Sequence, residues 1–164
     1  VDHEFFGSTQ GLSGLKGSVL EGGLRVPFIA QWPGKIKPGT VSEFPSYFPD
    51  LFPTLLAVAG QPDTRPHDGQ NLVPVFQGQE LLRKKDLYWE HGDQQALISG
   101  DWKLVRRRLG KKNPTTKLFH LVKDPGETNN LATEKPEILE RLLNISKNSR
   151  FPSLVFPNSG LDLP

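Results

Sequence analysis

At 164 residues, 35% hydrophobic and 23% charged, the chain is long enough to bury a full core, so no disulfide or metal staple is needed to explain a fold. No apolar run approaches the roughly 18 to 20 residues of a membrane span, and a formal charge of +2 is too small to argue for nucleic acid without a concentrated patch. Lack of cysteine excludes a thiolate nucleophile or thiolate metal site and leaves the redox compartment unread. With no methionine and Val1 first, the chain is expected to be part of a longer polypeptide.

Residues 1–24 combine glycines and polar groups without a period and predict a loop. It leads to Val26–Ala30, an apolar run that predicts a strand buried in a helix-covered sheet, with Pro27 at its edge. Pro33-Gly34 and Pro38-Gly39 predict a pair of turns between Trp32 and Thr40. From Pro49 to Ala59, Leu51, Leu55 and Val58 fall at helical spacing, with Phe52 and Leu56 beside them. Pro49 suits the first helical position and Gly60 the stop, while Pro53 should disturb the first turn. A loop follows from Gln61 to Gly69, then a short helical turn over Leu72–Gly78.

The pattern then changes. Leu87–Glu90, Gln95–Ser99, Trp102–Arg107 and Leu118–Leu121 are short β-type runs, with Gly100-Asp101 turning the second onto the third, and they predict an antiparallel meander. Asp124-Pro125-Gly126-Glu127 has proline and glycine where a type II turn places them. A helix is expected over Glu134–Lys147, capped by Thr133 and stacking Ile138 on Leu142 and Leu139 on Leu143. The proline-containing tail from Phe151 is expected to be extended. The division is then 1–80, 81–150 and a tail, 151–164.

The densest group of unusual residues is Lys16-Gly17-Ser18-Val19-Leu20-Glu21-Gly22-Gly23-Leu24-Arg25-Val26-Pro27. Glycines permit close backbone approach beside a lysine, a glutamate and an arginine, so this loop could hold an anion. The same residues also read as a structural Glu21–Arg25 ion pair with Lys16 in solvent.

The pattern Lys-Gly-x-x-x-Glu-Gly-Gly-x-Arg-x-Pro resembles a signature of the sulfatase family. Trp32-Pro33-Gly34, Asp50-Leu51-Phe52-Pro53-Thr54-Leu55-Leu56, Asp68-Gly69, Gly100-Asp101-Trp102-Lys103-Leu104, Asp124-Pro125-Gly126-Glu127 and Asn130-Leu131 are similar to sulfatase sequence in the same order, over roughly residues 11 to 143. The resemblance implies the end of a large α/β domain followed by a small antiparallel sheet with a packed C-terminal helix, making this chain itself α+β.

It also implies sulfate-ester hydrolysis. In that family a formylglycine attacks sulfur, a divalent cation, usually calcium, neutralises sulfate oxygens, and Lys16 matches the active-site lysine. A compact ammonium in a dry pocket would stabilise charge on the leaving oxygen as it forms. Glu21 and Arg25 match supports of the loop rather than participants. His91, in Trp89-Glu90-His91-Gly92, falls where similar sulfatases carry a histidine that could reach substrate, although a solvent-facing loop histidine fits the same residues.

Departures are equally informative. No Cys or Ser is followed by x-Pro-x-Arg, and the paired aspartates and later Asp-Asn pair of the cation site are absent. This chain is therefore expected to bind no metal or other cofactor and to be inactive alone. His3 could approach the pocket of the whole protein or lie in a frayed terminus. His67 and His120 read as structural, without local partners of ligand type, and Trp32, Trp89 and Trp102 as core residues.

Arg106-Arg107-Arg108 with Lys111-Lys112 reads as a solvated hairpin end, or, in a rival reading, as a non-catalytic site for sulfated or other anionic glycans. Related phosphatases and phosphonate monoester hydrolases remain a further alternative, because the nucleophile segment that separates them is not in this sequence. A sulfated small molecule or glycan is the expected partner of the whole protein. Nucleic acid and membrane are not expected, and the chain alone is expected to self-associate. The resemblance points to a periplasmic, secreted or lysosomal location.

Overall fold

The computed structural model describes residues 5–158 and 160–162. The fold is α+β and packs as two compact units, one built from the segments before residue 27 and after residue 85, the other from residues 27–85.

The first unit is organised by a four-stranded antiparallel sheet, β1 (Leu87–His91), β2 (Gln94–Ser99), β3 (Trp102–Arg107) and β4 (Thr115–His120), in sequential order. Period-2 alternation gives the sheet two apolar faces. On one face Leu97 lies opposite Leu104, and Leu104 opposite Leu118. Leu142 of helix α4 (Pro136–Asn148) caps this row, with Ile138, Leu139 and Leu143 around it. On the other face Ala96, Val105 and Phe119 are covered by Val19, Leu20 and Leu24 from the N-terminal loop. Each buried leucine contributes about 1.5–3 kcal/mol of transfer free energy. Residues 5–26, grouped by sequence with the first domain, thus pack against the sheet.

Four local details differ from the sequence expectations. The first lies in α4, which starts at Pro136, with Lys135 at the N-cap and no side-chain cap; Thr133 precedes it in a turn. Proline's fixed φ and missing N–H favour the first helical position, and here that outweighs a threonine cap. Second, β4 begins at Thr115, earlier than its apolar residues indicate, because the exposed Thr115, Thr116 and Lys117 pair with Arg107, Arg106 and Val105. Third, the turn at Asp124 is not type II: positive φ falls on Glu127 (54°), not Gly126, because the Glu127 side chain is drawn into the core. Fourth, the last residues do not simply extend away: Asn158 donates from Nδ2 to Gly92 O (3.2 Å) and Glu90 Oε2 (3.3 Å).

The second unit contains a 3₁₀ turn (Phe48–Asp50), α2 (Leu51–Val58) and α3 (Val73–Phe76). Asp50, 0% exposed, is its hub. Its carboxylate accepts the backbone N–H groups of Tyr47 (2.9 Å) and Gln70 (2.7 Å) and a bidentate pair from Arg83 (2.9 and 2.8 Å). A charge buried this completely is stable only when paired and hydrogen-bonded in this way. Thr54 donates to Asp50 O (2.6 Å) and accepts Leu72 N–H (2.9 Å), joining α2 to the start of α3. Gly69 is required because a Cβ there would stand 2.1 Å from Pro49 O.

Val26–Ala30 forms no strand. An isolated apolar run has no ladder partner among the described residues, and Val26, Phe28 and Ile29 are exposed, as are Phe48 and Leu55 of the 3₁₀–α2 segment. Exposed apolar surface of this kind favours association. Light scattering of this chain at micromolar concentration is expected to show species larger than a monomer; a monodisperse monomer would contradict that expectation.

Candidate active-site corner

The loop bearing Lys16 closes on itself before it meets the sheet. Gly22 N–H donates to Ser13 O (2.7 Å), and Gly23 N–H to Leu20 O (2.8 Å), winding Glu21–Leu24 into one helical turn, α1, where the sequence indicated only loop. The paired glycines have a steric reason. A Cβ on Gly22 would come within 2.4 Å of Gly14 O, and one on Gly23 within 2.2 Å of Ser18 O. Val19, fully buried, pins the loop to the sheet and leaves Lys16 exposed at the tip.

The tip lies against the end of the β1–β2 hairpin. His91 and Gln94 are directly opposed in the ladder, so their side chains leave the sheet on one face. Gln94 donates from Nε2 to Gly17 O (3.1 Å), and His91 Nε2 stands 3.8 Å from where a Cβ on Gly17 would project. Lys16 and His91, far apart in sequence and both exposed, therefore share one corner. The hairpin end is itself braced: Glu90 accepts hydrogen bonds from Tyr88 Oη and from Arg150 Nε (2.7 Å), while Arg150 Nη1 pairs with Asp162 (2.6 Å).

Behind the loop lies an ion network. Lys103, 0% exposed, places Nζ 2.7 Å from Glu21 Oε1 and 2.9 Å from Glu127 Oε1, while Glu127 Oε2 accepts the Glu21 N–H at 2.6 Å. The Glu21 carboxylate thus meets Lys103 rather than Arg25, which corrects the local ion pair suggested by sequence spacing. Arg25 is exposed, and its backbone N–H closes α1 on Glu21 O (2.8 Å).

Burial pushes the Glu127 carboxyl above its ordinary value of 4.5, and the Lys103 ammonium opposes that rise only in part. The folded protein therefore holds this proton more tightly than the unfolded chain does. Glu127 favours folding below 4.5, and this contribution is lost as pH rises through the raised value. The difference in urea midpoint between the parent chain and Glu127→Gln should move against the parent chain as pH climbs through that window. A pH-independent difference would refute the assignment.

The remaining candidates fall elsewhere. His67 does have a local partner, Asp63, at 2.9 Å, so the reading that it lacked one is corrected. His120 packs its ring 4.7 Å from Trp102. Trp89 and Trp102 are partly buried against the two core clusters. His3 lies outside the described residues. Arg107, Arg108, Lys111 and Lys112 are exposed at the β3–β4 connection, while Arg106 donates to Gln95 Oε1 (3.0 Å). Among the described residues no group of three or more His, Cys, Asp or Glu side chains could hold a metal ion.

Sequence reasoning assigned no role to Lys103, Glu127, Gln94 or Glu90. A signal existed for Lys103, which shares one face of its strand with the apolar Val105. Its motif and that of Glu127 both resembled the family, and the fold brings the two side chains to 2.9 Å.

Comparison with known proteins places these features in context. The family described as N-sulphoglucosamine sulphohydrolase, C-terminal, matches residues 15–148. The chain is 30% identical over 146 residues to the N-acetylgalactosamine-6-O-sulfatase of Bacteroides thetaiotaomicron, an alignment covering 79% of this chain and 28% of that protein. It is 33% identical over 168 residues to arylsulfatase A of Homo sapiens, covering 82% and 33%. A solved Bacteroides thetaiotaomicron structure, described with the metabolism of multiple glycosaminoglycans, superposes with a TM-score of 0.70 at 26% identity, covering 85% and 32%. Ps i-CgsB in complex with k-i-k-neocarrahexaose gives 0.71 at 25% identity, covering 84% and 31%. The chain thus spans about a third or less of each of these relatives.

Proposed function

Since this chain belongs to the N-sulphoglucosamine sulphohydrolase C-terminal family and is the C-terminal domain of a sulfatase, we propose that it completes a sulfate-ester hydrolase site with Lys16 and His91. The observation that carries this reading is the placement of the Lys16–Gly17 tip against His91 and Gln94. Lys16 is the catalytic group of the pair. As the S–O bond to the leaving group breaks, its ammonium stabilises the negative charge accumulating on that oxygen, a charge absent from the ground state. His91, beside it, touches substrate and helps hold the ester in register. Glu21 supports the loop through Lys103.

A formylglycine nucleophile and a divalent cation, calcium, belong to this proposal as parts of the whole enzyme. The described residues offer no ligand grouping for the cation, and the sequence has no Cys or Ser before x-Pro-x-Arg, so no step here is routed through either. The proposal accordingly makes this chain inactive on its own. The substrate class is a sulfated glycan or small sulfate ester; the carrahexaose complex of Ps i-CgsB and the amino-sugar sulfatase names of the relatives support a sugar.

The test is hydrolysis of matched nitrophenyl sulfate and nitrophenyl phosphate by the whole polypeptide. A strong preference for the sulfate is expected. Preference for the phosphate would replace this reading with that of a related phosphatase.

A further inference from the structure

We infer that Lys103, Glu127 and Gln94 are positioning residues for Lys16, acting through the loop rather than on substrate. This rests on the proposed role of Lys16 and assigns that role a structural support.

The loop is gripped at three points, each time by a side chain or turn remote in sequence. At its start Ser13 Oγ donates to Gly126 O (2.6 Å), in the turn that carries Glu127. At its end Glu127 Oε2 takes the Glu21 N–H while Lys103 takes the Glu21 carboxylate. At its tip Gln94 takes Gly17 O, the carbonyl one residue from Lys16. Gly22 N–H bonded to Ser13 O ties the first and second grips together.

Lys103 and Glu127 are buried and cannot reach substrate, and one ammonium serving two carboxylates exceeds what a single ion pair would need. A rigid support has a chemical reason here. A point charge is effective at a developing oxyanion only when its distance is fixed before the reaction, so a loose tip forfeits stabilisation although the lysine is still present.

Leaving-group dependence separates positioning from mere stability. A displaced Lys16 costs most for poor leaving groups, such as sugar hydroxyls, which need the charge stabilised, and least for nitrophenol, which does not. Loss of folded enzyme lowers both rates by one factor.

The experiment compares kcat of the whole enzyme on nitrophenyl sulfate and on a sugar sulfate for Lys16→Ala, Gln94→Ala, Glu127→Gln and the paired variant Lys103→Met/Glu127→Gln. Gln94 is a partly exposed hydrogen-bonding residue, so its variant should fold even if the buried ones do not. The expected result is a loss at least about 5-fold greater on the sugar sulfate than on nitrophenyl sulfate for every positioning variant that folds, smaller than that of Lys16→Ala but of the same kind. If Lys16→Ala shows that selectivity and folded Gln94→Ala and Glu127→Gln show equal losses or none, positioning is overturned and the role of Lys16 stands. Should Lys16→Ala itself lack it, the role of Lys16 falls, and the positioning inference with it.

Discussion

Replacing Lys16 with alanine in the whole enzyme is expected to lower kcat on a sugar sulfate about 10²- to 10³-fold, the scale of losing one preorganised charge stabiliser. That corresponds to about 2.7–4 kcal/mol of barrier. Because the leaving oxygen becomes charged only on the way to the transition state, kcat and kcat/KM should fall together with little change in KM. Lys16→Arg should restore little: a planar, forked guanidinium does not place its charge where a compact ammonium does. Lys16 is exposed at the loop tip, so the unfolding midpoint should not move. A loss below about 5-fold on a sugar sulfate, whose leaving hydroxyl needs the charge, would contradict the role given to this residue.

The largest stability effect is expected at Lys103. Lys103→Ala leaves the carboxylates of Glu21 and Glu127 buried together with no counter-charge, and breaking a buried ionic group by removing one partner costs about 3–5 kcal/mol. Domains of this size hold only about 5–15 kcal/mol in total, so a substantial part of the stability disappears, as urea denaturation would read. The loss should shrink in acid, where the orphaned carboxylates can take up protons, and shrink again when Glu21→Gln and Glu127→Gln are added. A cost under about 1 kcal/mol at neutral pH would mean that the network is not a strut.

What the sequence disclosed follows from where the physics is local. The short β-type run over Trp102–Arg107, turned onto its neighbour at Gly100-Asp101, and helical spacing over Ile138–Leu143 located the sheet and its covering helix, since both are local signals. Lys16 and His91 were legible as separate candidates by resemblance. Their sharing a corner was not, because it depends on Val19 seating the loop and on the register that opposes His91 to Gln94.

The Glu21–Lys103–Glu127 network joins residues 82 and 106 positions from Glu21, and no spacing rule reaches that far. For the same reason Glu21 was offered a nearby arginine when its partner lay on β3, beneath the loop. Val26–Ala30 misled differently: apolar composition describes what a segment needs, and a strand also needs a neighbour to pair with.

The most direct test of the central claim is sulfate release from a chromogenic aryl sulfate by the intact polypeptide, with and without calcium, beside this chain as control. The account predicts calcium-dependent release by the intact polypeptide and none by this chain. Release by neither would contradict the assignment of Lys16 and His91 to a sulfate-ester site.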